Sequence, residues 1–278
     1  METVTRFAPS PTGYLHLGHA YSALINFQRA HSAQGRFLLR IEDIDQGRCK
    51  PEYEAAINED LTWLGLAWEK PVLRQSDRMA IYEANLTYLH ERGLVYRCFK
   101  TRKDIEQAMS APHETAIAAF RSGPLTTLKE RGNLADGRPY AWRLSLTEAE
   151  ATLGATFSTL VYLEDTAEGL VKQLAEAQRF GDVVLGRKDN GTSYHLSSVV
   201  DDAAQGITHI IRGRDLCEAA GLQALLHQLL GLKPPVYKHH NLILDDTGKR
   251  LSKRDKAVTL RAMRQRGLTP DDVKGLMP

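Results

Sequence analysis

The sequence predicts an α/β protein: a doubly wound parallel sheet, interrupted by an inserted α+β subdomain and followed by a short C-terminal helical tail. Three observations point there. A strand–helix–strand alternation occupies residues 3–41, a second alternation resumes near Tyr194, and between residues 94 and 187 the pattern weakens to mixed short elements. A length of 278 residues with 42% hydrophobic content suffices for one sizeable core.

Residues 3–8 read as a strand, broken by the turn-rich loop Pro9-Ser10-Pro11-Thr12-Gly13. A helix is expected over 17–34, stopped by Gly35, and a second strand over the apolar run 36–41. Two helical patterns follow. Residues 52–64 place Tyr53, Ile57, Leu61 and Leu64 on one face, and residues 77–92 have Ser76 as N-cap and Gly93 as stop. A hairpin turn is expected at Asp189-Asn190-Gly191. The second half supplies a helix through 199–204, a strand over 208–212 and a helix over 216–230. Pro234-Pro235 marks a boundary before a loop at 245–248 and a basic helical tail. The expected divisions are therefore 1–93, the insertion 94–187, 188–233 and 234–278.

The formal net charge is +2, unevenly spread. Residues 233–278 hold eleven Lys and Arg against five Asp, a local net of +6, which leaves −4 on the remainder. Such an end suits a polyanion such as nucleic acid, or is a solvated basic helix. Three cysteines, an odd number without a C-x-x-C pair, fit reduced thiols of a cytosolic protein better than a disulfide framework. The opening Met-Glu-Thr-Val-Thr-Arg lacks the apolar core of a signal peptide, and no apolar run approaches the ~20 residues that span a bilayer. No membrane role is expected, and the cytoplasm is the expected location.

Two segments carry candidate chemistry. In His16-Leu17-Gly18-His19 the histidines share one face at a helix N-terminus, where free N–H groups and the helix dipole attract anions. Gly18 would let a nucleotide approach the backbone. Alone, the segment is equally compatible with two unrelated capping or surface histidines. In Gly248-Lys249-Arg250-Leu251-Ser252-Lys253-Arg254, a glycine-hinged basic loop could close over a triphosphate, with Lys253 as a point charge. Alone, that is more often a solvated loop. Together they occupy the places expected of a nucleotide site at the carboxyl edge of a doubly wound sheet.

The resemblance to a known family rests on four ordered blocks. Arg6-Phe7-Ala8-Pro9-Ser10-Pro11-Thr12-Gly13-Tyr14-Leu15-His16-Leu17-Gly18-His19 resembles the opening signature of glutamyl-type class I aminoacyl-tRNA synthetases, and Arg40-Ile41-Glu42-Asp43-Ile44-Asp45 their second block. Tyr194-His195-Leu196, Val199-Val200-Asp201-Asp202 and Gly206-Ile207-Thr208-His209-Ile210-Ile211-Arg212-Gly213 resemble the third. Arg250-Leu251-Ser252-Lys253-Arg254 stands where the family carries K-M-S-K-S, with Arg250 in place of the first lysine.

The resemblance implies a Rossmann-type catalytic domain that activates glutamate with ATP and Mg2+. It implies that His16, His19 and Lys253 stabilise charge, and that His16, Gly18, His19, Arg250, Ser252 and Lys253 bind ATP. Glutamate would be bound by Arg6, Phe7, Ala8, Pro9, Ser10, Glu42, Tyr194 and Arg212. Two guanidinium forks suit its two carboxylates, and Glu42 with Ser10 suits its ammonium; which arginine meets which carboxylate stays open.

Only 25 residues follow Lys253, where ordinary members continue into an anticodon-binding region. The chain therefore resembles the truncated branch of the family. That branch attaches glutamate to queuosine in the anticodon of tRNA(Asp), so the expected partner is that anticodon stem-loop and the expected state a monomer. Cys98-Phe99-Lys100 keeps one cysteine of the C-x-C pair with which many members bind zinc, so no zinc is expected. The competing readings are 3′-end charging, a catalytically silent tRNA-binding paralogue, and another H-x-G-H nucleotidyltransferase.

Overall fold

The computed structural model describes residues 2–101, 104, 120–243 and 258–278. β1 (Val4–Phe7) leads through a loop into α1 (Leu17–Ser32), which returns to β2 (Arg36–Ile41) parallel to β1. α2 (Pro51–Trp63) follows, then the two-residue β3 (Leu73–Arg74), which pairs parallel with β2. α3 spans Met79–Glu91. Ser76 does not cap it: its backbone N–H and hydroxyl both donate to the Asp43 carboxylate, at 2.8 and 2.6 Å, and residues 75–78 form a 3-10 turn ahead of the helix.

β4 (Val95–Cys98), β5 (Ala141–Leu144) and β8 (Val184–Gly186) form a separate antiparallel sheet in the order β4-β5-β8. The short helices α4 (Thr127–Ala135), α5 (Leu146–Leu153) and α6 (Ala155–Thr159) lie in the same span. β6 (Val161–Thr166) and β7 (Gly169–Leu174) form a hairpin within it, yet β6 pairs in parallel with a strand of the C-terminal half, β10 (Val236–His240). After β8 the chain does not double back as a hairpin. Gly191, at φ +68°, supplies the left-handed residue of a turn that enters α7 (Tyr194–Ala204).

α7 leads to β9 (His209–Gly213), α8 (Cys217–Leu230) and β10, which pairs in parallel with β9. The resulting sheet runs β7-β6-β10-β9. Its β9 edge meets β1 through Thr208, whose N–H donates to the Val4 carbonyl at 3.0 Å while the Val4 N–H donates to the Thr208 hydroxyl at 2.8 Å. A buried cluster including Val4, Leu38, Ile210, Ala224 and Tyr237 seals this junction. Two nested α/β units thus lie edge to edge, in agreement with the α/β, parallel-sheet expectation.

The described part of the basic end forms α9 (Leu260–Gln265) and α10 (Pro270–Gly275). Leu260, Met263 and Val273 join the core formed by α1, β2 and α2, so this end is anchored by its apolar side.

Candidate active site

The carboxyl ends of β1, β2 and β9 and the N-termini of α1 and α7 converge on one cavity of about 450 Å³. Such a convergence is where open α/β sheets bind ligands. Arg6, Phe7, Ala8, Pro9, Ser10, His16, Gly18, His19, Glu42, Tyr194 and Arg212 all line it. Arg250, Ser252 and Lys253 lie outside the described residues. The chain on either side of them is anchored at the cavity: Leu242 and Ile243 line it, and Thr259 forms an isolated β-bridge with His16.

The loop from β1 is held against β2 by the Glu42 N–H, which donates to the Pro9 carbonyl at 3.0 Å. His16 then caps α1. Its Nδ1 accepts from the Gly18 N–H at 3.1 Å, and His19 Nδ1 accepts from the His16 N–H at 3.2 Å. The rings lie 3.8 Å apart between centroids. This reciprocal cap satisfies two of the helix's orphan donors and fixes both imidazoles at the cavity wall. Gly18 has a local reason as well: a Cβ there would sit 3.2 Å from His16 Cε1, crowding the folded-back ring.

Behind the cavity lies a buried charge network. Arg40, fully buried on β2, donates to Glu42 Oε1 at 2.9 Å and to Asp202 Oδ1 at 2.6 Å. Arg6 Nε donates to the same Asp202 oxygen at 3.0 Å. Burial favours a protonated Asp202, but Arg40 and Arg6 outweigh it and hold the carboxyl down at about 2. Burial raises the Glu42 carboxyl above its ordinary value, against the pull of Arg40 and Arg6.

Arg212 is held on three sides. Its Nε donates to His239 Nε2 at 3.3 Å, and its Nη1 donates to Gln223 Oε1 at 2.8 Å and to the Tyr194 hydroxyl at 3.3 Å. The guanidinium lies 5.2 Å from the Tyr237 ring centroid. Its Nη2 is buried without a protein partner. A buried, charged donor left unpaired is costly unless a ligand completes it, and a planar guanidinium suits a carboxylate.

Residues 2–273 match the family model of the class I tRNA synthetases (E and Q), catalytic domain. The chain belongs to this family. Across 99% of its length it is 48% identical to a Rhodobacter capsulatus protein named glutamyl-Q tRNA(Asp) synthetase, 99% of which is covered. It is 41% identical, over 98% of its length, to a Nocardia farcinica protein of the same name, 82% of which is covered. A solved glutamate tRNA ligase from Elizabethkingia meningosepticum, in complex with its amino acid, matches 92% of the chain at TM-score 0.74 and 29% identity. The chain spans about half of that structure, 52% of its length.

Within this class I synthetase site, sequence reasoning quoted Arg40 and Asp202 as parts of motifs and gave them no task. Arg40 stands inside the apolar run Phe37-Leu38-Leu39-Arg40-Ile41, and Asp202 follows Val199-Val200 in a helix. A charge at a position whose neighbours are core is the signal that marks both. Gln223 and His239 carried no such signal, because they meet Arg212 only when β9, β10 and α8 come together.

Proposed function

We propose that the protein activates L-glutamate with ATP and passes the glutamyl group to queuosine in the anticodon of tRNA(Asp). The observation that carries this reading is the cavity itself. It brings Arg212, whose buried Nη2 has no protein partner, together with Arg6 and Glu42 in a chain 48% identical to a protein of that name.

In this reading Arg6 and Arg212 bind the two carboxylates, Glu42 and Ser10 hold the ammonium, and Tyr194 adds a hydroxyl. The backbone of Phe7, Ala8 and Pro9 forms the wall. A carboxylate oxygen of glutamate attacks the α-phosphorus of ATP, forming the acyl phosphate as the bond to pyrophosphate breaks. His16, His19 and the N-terminus of α1 with Gly18 position the α-phosphate, and Lys253, with Arg250 and Ser252, neutralises the departing pyrophosphate. A queuosine hydroxyl then attacks the activated carbonyl, loses its proton and displaces AMP. No protein nucleophile is required.

The cavity's carboxylates, Glu42 and Asp215, are not grouped into an ion site among the described residues. Mg2+ would therefore arrive on the ATP phosphates, where it neutralises charge, and no protein ligand is assigned to it. Cys98, the cysteine that the sequence retains from the family's C-x-C pair, is buried on β4, and the reading includes no zinc.

No helix among the described residues is long and apolar enough to cross a membrane. The reading places the protein in the cytoplasm as a monomer, with its basic end against the phosphates of the anticodon stem-loop.

Radiolabelled glutamate, ATP and tRNA(Asp) with and without queuosine test the acceptor. Label on the queuosine-bearing tRNA alone supports the reading. Label on the 3′ end of tRNA(Glu) replaces it with ordinary charging, and label on neither tRNA removes the transfer step.

A further inference from the structure

Arg212 owes its orientation to a chain of hydrogen bonds that crosses three neighbouring strands. His239 lies opposite it in the β9–β10 register, and Glu164 lies opposite Tyr237 in the β10–β6 register. The His239 side chain is 1% exposed and the Glu164 side chain 15%. An arginine Nε–H donates and never accepts, so His239 Nε2 must accept from Arg212. A neutral imidazole accepts at Nε2 only when its proton sits on Nδ1, and there Glu164 Oε1 stands 2.7 Å away. The carboxylate thus selects the tautomer, the tautomer supplies the acceptor, and the acceptor fixes the Nε edge of the guanidinium of Arg212, which lines the cavity.

We propose that Glu164 and His239 are positioning residues for substrate binding: together they fix the plane and register of Arg212 so that its unpaired Nη2 meets a carboxylate of the amino acid. This rests on the reading of the cavity as a glutamate site. His239 and Glu164 do not line the cavity and act only through Arg212. With Gln223 and Tyr194 on Nη1 and Tyr237 beneath the plane, the His239 bond closes the last rotation open to the guanidinium.

A metal site is the competing use of these groups, since ligand atoms of Glu164, Cys217 and His239 lie within 4.8 Å of one another. Both imidazole nitrogens are already engaged. An ion at Nε2 would face the Arg212 charge, and an ion at Nδ1 would move the proton to Nε2 and turn it against the Arg212 N–H. The relay is the arrangement that satisfies both imidazole nitrogens, Glu164 Oε1 and the Arg212 Nε–H.

Two measurements test it. The first needs no substrate: nitrogen NMR of labelled imidazole in the intact protein. A neutral His239 protonated at Nδ1, losing that signature in Glu164→Leu, is expected; an Nε2-protonated His239 overturns the relay. The second is glutamate-dependent ATP–pyrophosphate exchange. With Arg212 on the carboxylate that does not react, His239→Leu should raise the KM for glutamate about tenfold and leave kcat and the KM for ATP within about twofold, because the lost interaction is then made equally in ground and transition states. His239→Gln, whose amide can accept from Arg212 and donate to Glu164, should recover most of that loss. Equal damage in the Leu and Gln variants, or parallel rises in both KM values, overturns the proposal. Failure of the unaltered protein to exchange with glutamate refutes the glutamate reading and with it the substrate half of the proposal, while the tautomer still decides the relay.

Discussion

Asp202 binds two arginines through a single oxygen, and its removal tests whether that network is structural, functional or both. Breaking one partner out of a buried ion pair costs roughly 3–5 kcal/mol, because the remaining charges stay buried. Asp202→Asn should lower stability by about 3 kcal/mol and raise the KM for glutamate, since the amide leaves Arg6 and Arg40 a neutral acceptor in place of the carboxylate that balances their charge. Asp202 has a folded value of about 2, below the ~3.9 of a free aspartate. Its contribution is therefore complete above pH ~4 and is lost as pH falls through about 2. Denaturant titrations should show a constant gap between the two proteins from pH 8 to 5 that narrows only in strong acid. A gap that closes between pH 7 and 5 would mean that the network does not hold Asp202 ionised.

At the scale of elements, close approach explains a glycine that helix propensity disfavours. Gly221 sits inside α8, where glycine costs about 1 kcal/mol relative to alanine. A Cβ there would stand 2.1 Å from the Ala175 carbonyl oxygen, so the helix lies directly on the backbone leaving β7. Gly221→Ala should destabilise by about 1–3 kcal/mol in spite of the better propensity; a more stable variant in thermal melting would contradict the contact. The seam between α2 and α9 is different. Asp60 is fully buried with neither oxygen hydrogen-bonded, and Arg264 Nη2 is its nearest cation at 3.7 Å. Burial pushes its carboxyl up to about 6. Because the folded value is raised, ionised Asp60 penalises the fold above pH ~6, and the penalty fades as pH falls toward ~4. Asp60→Asn should raise the melting temperature at pH 8 and lose that advantage by pH 4. An advantage that persists at pH 4 would place the effect elsewhere.

At the scale of the whole molecule, the sequence made legible the features that are local in the chain. The α1 cap is written in residues 16–19, and the strands β1, β2 and β9 are written in their apolar runs. Arg6, Glu42, Tyr194 and Arg212 were legible as a set because the blocks that hold them resemble those of the glutamyl-type synthetases, and the cavity brings all four together. What it concealed depends on strands that meet from afar. Glu164 belongs to a strand that joins β10 across more than seventy residues, and neither it nor His239 stands out until Arg212 lies beside them. Ser76 had the identity of an N-cap, but Asp43, distant in sequence, captures it. The Asp189-Asn190-Gly191 turn had the chemistry of a hairpin, and only the following helix shows otherwise. The basic end reads as a tail by charge alone, yet its Leu260, Met263 and Val273 belong to the core.

These scales converge on one claim, that the cavity binds glutamate and activates it with ATP. Pyrophosphate exchange by the purified protein with each amino acid in turn, in the absence of tRNA, measures this most directly. The account predicts exchange with glutamate and not with glutamine or aspartate, abolished in Arg212→Leu while the protein remains folded. Exchange driven by another amino acid, or an Arg212→Leu protein that exchanges as well as the unaltered one, would contradict it.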